Sequence, residues 1–233
     1  MTGGTTQPRS PGTTRVDPAA TLAVACVYRS GGSYFPRYVR ALRDAVARHL
    51  HVPHRFVCLT DDERVPCERV PLIHDWPRFY AKIELFRPGL FEGPVLYLDL
   101  DTVVVGDIGD FARIAQEREF TATSDPWFGI FNSSIMGWSI DCSFVYHRFR
   151  RFPAWWQHRF RHEGRRYGDQ GFTEETLRRR GMAHGVFDQL LPGQIASYRH
   201  CAVGGPPPEA RICTMMTRPK PHETDDWVAE HWR

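Results

Sequence analysis

No run of about 18 consecutive apolar residues occurs in this sequence, so no segment is suited to crossing a bilayer as a helix. Residues 1–19 are dominated by Gly, Thr, Pro, Ser and Ala, have little to bury and read as a disordered tail. They also lack the apolar stretch that a secretory signal needs. The six cysteines, Cys26, Cys58, Cys67, Cys142, Cys201 and Cys213, include no C-x-x-C pair, so neither a zinc site nor a redox motif is spelled out. With no sign of export, a reducing cytoplasm is the expected compartment and free thiols the expected state. Charge of one sign is also scarce: a net +3 over 233 residues gives no case for a nucleic-acid partner. Internal repeats and a second core-sized segment are missing, so residues 20–233 are expected to form one domain.

What is present is a β-α-β-α-β order. TLAVACVY (residues 21–28) is a short apolar run of the kind found in strands buried on both faces. A helix is expected from near Pro36 to Leu50, with Tyr38, Val39, Leu42, Val46 and Leu50 on one face. HRFVCLT (54–60) reads as a second strand, residues 79–86 as a helix, and PVLYLDLDTVVV (94–105) as the strongest strand of all. This order implies an α/β fold with a mostly parallel central sheet and helices on both faces. Further along, strands are expected at 120–123, 131–138 and 211–215, and helices over 143–161 and 173–180. A loop is expected over 165–171, and GGPPP (204–208) reads as a turn or loop.

The chemistry concentrates in LYLDLDTVV (96–104). Residues two apart on a strand share a face, so Asp99 and Asp101 are expected to point the same way. In a parallel α/β sheet, the carboxyl ends of the strands open into the ligand crevice. Two close carboxylates repel and call for a compensating cation. A divalent ion such as Mg²⁺ or Mn²⁺, shared with the phosphates of a ligand, answers that need.

Around this motif the sequence resembles the retaining glycosyltransferases of family 8, of the glycogenin and bacterial lipopolysaccharide hexosyltransferase type, and is closest to uncharacterised bacterial relatives. The pieces in order are TLAVACVYRSGG, VCLTDD, RFYAKIELF, VLYLDLDTVVVGDI, FNSSIMGW, GDQGF and RPKPHE. The resemblance implies a single GT-A, Rossmann-like domain that moves a hexose from a UDP-sugar to an acceptor hydroxyl, with retention. It implies that Asp99 and Asp101 hold the metal, and that Val27, Tyr28 and Asp61 cradle the base. Lys82, Asn132 and Ser133 would face the donor, and Lys220 the diphosphate. Asp169 and Gln170 would lie near the reacting carbon. Relatives carry a His-Gly just before the Lys-Pro, and that His is their third metal ligand. Here Met215, Met216 and Thr217 occupy the stretch, and His222 just after it is the candidate substitute ligand, with water as the other occupant.

Two other readings stay open. Asp-x-Asp at the end of an apolar strand also resembles the haloacid dehalogenase phosphatases, with Asp99 as nucleophile and Asp101 as acid/base. A non-catalytic nucleotide-sugar binder is the other, motivated by Met216. The aromatic and basic stretch 146–166 is expected to be a helix with a core face and a solvated arginine face. It is also compatible with a peripheral membrane contact or with an acidic acceptor; the acceptor classes considered are glycan, lipid-linked and small molecule.

Overall fold

A computed structural model describes residues 14–126, 128–162 and 167–233. The seven-stranded sheet runs β3-β2-β1-β4-β7-β6-β8. Its first members are β1 (Leu22–Tyr28), β2 (His54–Thr60) and β3 (Glu68–Pro71), followed by β4 (Val95–Leu98). All pairs among these four are parallel. β5 (Thr102–Val104) leaves this sheet, while β6 (Phe120–Ser124), β7 (Phe131–Trp138) and β8 (Gly185–Val186) complete it. β7 is antiparallel to both β4 and β6, and β8 is parallel to β6. A second sheet of three strands has the order β5-β10-β9, with β9 at Ile195–Ser197 and β10 at Ile212–Thr214.

The apolar character of β1 follows from its position. Ala23 and Ala25 enter one core, and Leu22, Val24, Cys26 and Tyr28 the other. α1 (Pro36–His49) covers the second face with the expected stripe of Tyr38, Val39, Leu42 and Val46, beside α2 (Gly109–Glu117). Pro36 suits the first helical position because its missing N–H has no partner to lose there. The opposite face is covered by a 3-10 helix (Arg78–Phe86), α3 (Ser143–Arg151), α4 (Pro153–Arg159) and α5 (Gly168–Arg179). Glu84, fully buried in the 3-10 helix, accepts from the backbone N–H of Ile73 at 2.9 Å and of His74 at 3.0 Å. It thereby fixes the segment leading into the site.

β1 lies between β2 and β4. The chain leaves β1 toward β2 and β3, then returns to its other side as β4. Such a reversal opens a crevice at the strands' carboxyl ends.

Several elements differ from expectation. The run 94–105 is two strands in two sheets, broken by a turn at Asp99–Asp101 in which the Thr102 N–H donates to Asp99 O at 3.0 Å. The single helix expected over 143–161 is two, because Pro153 lacks the N–H to continue α3 and instead opens α4. Tyr146, Phe149, Trp156 and Phe160 are core residues, whereas Phe152 and Trp155 are exposed. α5 begins at Gly168 rather than Thr173, so Asp169 and Gln170 lie in its first turn and not in a loop. Of the expected tail, residues 1–13 lie outside the described residues. The Val16 N–H donates to Ser139 O at 3.2 Å and the Asp17 N–H to Glu92 O at 3.0 Å, so this end of the tail is held to the domain. All six cysteines are free thiols. Among the described residues, no helix is long and apolar enough to cross a membrane.

Candidate functional site

A cavity of about 490 Å³ opens at the crevice, a size suited to a small ligand. β1 supplies Val27, and the turn after β4 supplies Asp99 and Asp101. The start of β7 brings Asn132 and Ser133, the first turn of α5 brings Asp169 and Gln170, and Lys82 comes from the 3-10 helix. Lys220 reaches in from the C-terminal segment. Nine of the expected residues thus meet in one cavity, drawn from segments far apart in the chain.

The turn, rather than strand alternation, brings the two carboxylates to one cavity. The Asp99 N–H donates to Ser134 O at 2.8 Å, which ties the turn to β7. Lys82 Nζ donates to Asp99 Oδ2 at 3.1 Å and to Ser133 Oγ at 3.1 Å, and stands 3.6 Å from Asp169 Oδ2. Ser133 Oγ donates to Asp169 Oδ2 at 2.7 Å. The Tyr97 hydroxyl donates to Asp99 Oδ1 at 2.5 Å, and the Tyr34 hydroxyl to Asp101 Oδ2 at 2.9 Å. Lys220 Nζ donates to Asp101 Oδ2 at 2.5 Å and to the carbonyls of Met215 at 2.9 Å and Met216 at 3.4 Å.

The charges shift one another. Burial pushes Asp99 up to about 6; the Lys82 ammonium opposes this and Asp101 adds to it. Burial alone would depress Lys82, but the charges of Asp169 and Asp99 outweigh it and hold the ammonium above its ordinary range. Burial, with Asp101 and Asp99 nearby, raises the Tyr34 hydroxyl, which therefore remains a donor. Perturbed groups gathered in a cleft mark a candidate functional site.

Three expected residues do not line the cavity. Tyr28 is buried on the opposite face of β1, in the core beneath α1. Asp61 is exposed and accepts from the Ser30 N–H at 2.8 Å and the Ser30 hydroxyl at 2.9 Å, steadying the loop after β1. His222 is turned toward α1, where the Tyr38 hydroxyl bonds its Nδ1 and its ring meets Phe35 edge-on at 5.5 Å. Among the described residues, no three His, Cys, Asp or Glu side chains form a group able to hold a metal ion. The third ligand expected from His222 is therefore not assembled. The two remaining carboxylates are each already bound by a lysine. Met216 Sδ, in the stretch where the resemblance would put a histidine, accepts from Asn132 Nδ2 at 3.2 Å, and a thioether is a poor ligand for Mg²⁺ or Mn²⁺. This donor set does not fit a resident divalent ion.

Sequence reasoning missed Tyr34, Tyr97, Arg29, Arg78 and Phe79 on the cavity wall. Tyr97 had a signal, since it stands two residues before Asp99 in the run that reads as one strand in the sequence. Arg78 had none, although its backbone is in the left-handed region (φ 54°), uncommon for a residue with a side chain.

No family model matches the chain, and no curated protein matches it in sequence. Solved structures do. The glycosyltransferase GlyE of Streptococcus pneumoniae TIGR4 superposes with a TM-score of 0.63 at 16% identity, over 94% of this chain and 59% of that one. Its apo form gives 0.59 at 17% identity, with the same coverage. The galactosyltransferase LgtC, in complex with donor and acceptor sugar analogues, gives 0.60 at 14% identity, over 90% of this chain and 93% of that one. The fold is GT-A. It is a Rossmann-like α/β domain with a mostly parallel central sheet, as the sequence implied. The chain spans 59% of the length of GlyE, and identities this low speak of fold alone.

Proposed function

We propose that the cavity binds a UDP-hexose and that the protein transfers the hexose, with retention, to a hydroxyl of a glycan, lipid-linked or small-molecule acceptor. One observation carries the reading: Asp99, Asp101, Asp169, Lys82 and Lys220 converge in a single cavity at the switch point of a GT-A sheet. The preference for uridine, for a hexose and for retention rests on the family resemblance, and the phosphatase alternative gains nothing from the fold.

In the reaction, the bond between the anomeric carbon and the diphosphate oxygen breaks and its electron pair leaves with the diphosphate. The acceptor oxygen forms the new bond to the anomeric carbon and gives up its proton to an oxygen of the departing diphosphate. Lys82 and Lys220 supply fixed positive charge for the departing diphosphate. The Asp169 carboxylate is held by the Ser133 hydroxyl and Lys82, and faces the developing positive charge of the sugar. Gln170, one residue on, offers an amide to the same sugar.

The test is Asp169→Asn, assayed as UDP release from UDP-glucose and UDP-galactose with water as acceptor. Turnover should fall about 100-fold or more, the scale of losing one preorganised electrostatic group, while UDP binding persists. A variant as active as the wild type, or a wild type that binds no nucleoside diphosphate, would overturn the reading.

A further inference from the structure

We propose that this site holds the donor's diphosphate without a divalent metal ion, because the Lys220 ammonium fills the oxygen cage such an ion would need and Lys82 serves the second carboxylate. The inference rests on the transferase reading above.

The cage is made of one carboxylate oxygen and two backbone carbonyls. Lys220 Nζ lies 2.5 Å from Asp101 Oδ2, 2.9 Å from Met215 O and 3.4 Å from Met216 O. Carboxylate and carbonyl oxygens are the ligands a hard cation prefers, and here a cation of the chain itself takes them. The three bonds match the three donors of an ammonium. Asp101 Oδ2 also receives the Tyr34 hydroxyl at 2.9 Å. An incoming ion would have to break the Lys220 bonds and leave that ammonium to find new partners beside a second positive charge.

Asp99 is committed in the same way. Both of its oxygens lie 3.1 Å from Lys82 Nζ, and Oδ1 receives the Tyr97 hydroxyl at 2.5 Å. Lys82 also leans on Ser133 and Asp169, so its place is fixed from several sides. The backbone of Lys220 is anchored too, since its N–H donates to Glu223 Oε2 at 2.7 Å.

The two lysines offset two of the three carboxylates, Asp99, Asp101 and Asp169, that would otherwise repel a diphosphate, and Arg29 and Arg78 on the cavity wall add positive charge. The 3.4 Å contact to Met216 O is the weakest bond Lys220 makes, and it is the one a phosphate oxygen would replace. When the sugar leaves, the electron pair gained by the diphosphate is met by charges built into the chain. No ion has to be recruited first.

The experiment is calorimetric titration of UDP into protein freed of metal with EDTA, and into the same protein with excess Mn²⁺. Equal affinity in the two conditions is expected. Lys220→Ala should weaken metal-free binding by about tenfold or more, the scale of one hydrogen bond to a charged group, and a thermal melt should show the variant folded. Electron paramagnetic resonance of Mn²⁺ gives an independent reading on the wild type: with UDP present, the ion should keep the spectrum it has with free UDP alone. Wild-type affinity that rises tenfold or more with Mn²⁺, or an immobilised Mn²⁺ signal, overturns the metal-free site and leaves the transferase reading standing. Absence of UDP binding in both conditions instead brings down the transferase reading, and this inference with it.

Discussion

Glu175 sits on α5, the helix that carries Asp169, and is only 2% exposed. Its Oε1 accepts from Arg148 of α3 at 2.8 Å and from Arg179 at 3.0 Å, and its Oε2 from Arg159 of α4 at 3.2 Å. One carboxylate therefore ties together three helices on the site's side of the sheet. Glu175→Gln keeps the shape and removes the charge. Arg159 and Arg179 have side chains 45% and 64% exposed, so water replaces most of what they lose and their contributions are small. Arg148 is 20% exposed and lies 4.4 Å over the Trp156 ring, so it is left charged with less water to turn to. Breaking a buried pair costs about 3–5 kcal/mol, and the partial exposure of the arginines places this case near about 3 kcal/mol. At about 2–4 °C per kcal/mol for a chain of this size, the melting temperature should fall by about 6–12 °C at pH 7. The gap should also depend on pH. Burial pushes the Glu175 carboxyl up, but its bonds to Arg148 and Arg159 outweigh this and hold it below the ordinary glutamate range. A carboxyl depressed in the folded state contributes its full stability above the unfolded pKa of about 4.3 and loses it as pH falls through the folded value. Calorimetric melts of both proteins from pH 7 down to about 3 should therefore show the gap closing in acid. A gap under about 2 °C at pH 7, or one that stays constant into acid, would refute the reasoning.

Two glycine substitutions separate the site from its scaffold. Gly168 opens α5 with φ +63°, and a Cβ there would stand 2.6 Å from the Phe79 ring on the cavity wall. Gly168→Ala should cost about 1–3 kcal/mol and also weaken UDP binding; an unchanged melt and an unchanged affinity would count against this. Gly137 lies in β7, where a Cβ would meet Ala115 Cβ of α2 at 2.8 Å, on the face of the sheet away from the cavity wall formed by α5. Gly137→Ala should lower stability by about 1–3 kcal/mol through overpacking while UDP affinity below the melt stays at the wild-type value. Loss of affinity without loss of stability would show that the site is not separable from this packing.

The strands of the N-terminal half were legible because their burial is local information. TLAVACVY is apolar throughout, and β1 is in fact covered on both faces. The stripe of α1 was legible for the same reason. The break within PVLYLDLDTVVV was not. Both halves of that run are apolar and nothing local says they join different sheets; the partner of β5 is β10, a strand that arrives only at Ile212. The start of α5 was hidden because Gly168 and Gly171 are poor helix formers, and packing against Phe79 overrides that preference. The division of α3 from α4 was there to be read in Pro153. His222 follows Lys220 by two residues, yet spacing could not say that one side chain would enter the cavity and the other would turn to Tyr38.

The same comparison explains why the carboxylates were easier to read than their counter-charges. Asp99 and Asp101 announce themselves because two charges inside an apolar run are costly unless compensated. The compensation is non-local: Lys82 stands seventeen residues before Asp99, and Lys220 stands 119 residues after Asp101. A motif built on one strand invites a mobile ion as the simplest answer to its charge. In the folded chain that charge meets two ammonium groups, one on each carboxylate, and Lys82 is shared further with Asp169. The alternation Asp101–Lys220 and Asp99–Lys82–Asp169 leaves no carboxylate of the cluster without a positive neighbour. Its cations are therefore set in place by the fold before any ligand arrives, which is the property a site needs to stabilise charge on a leaving diphosphate without reorganising first.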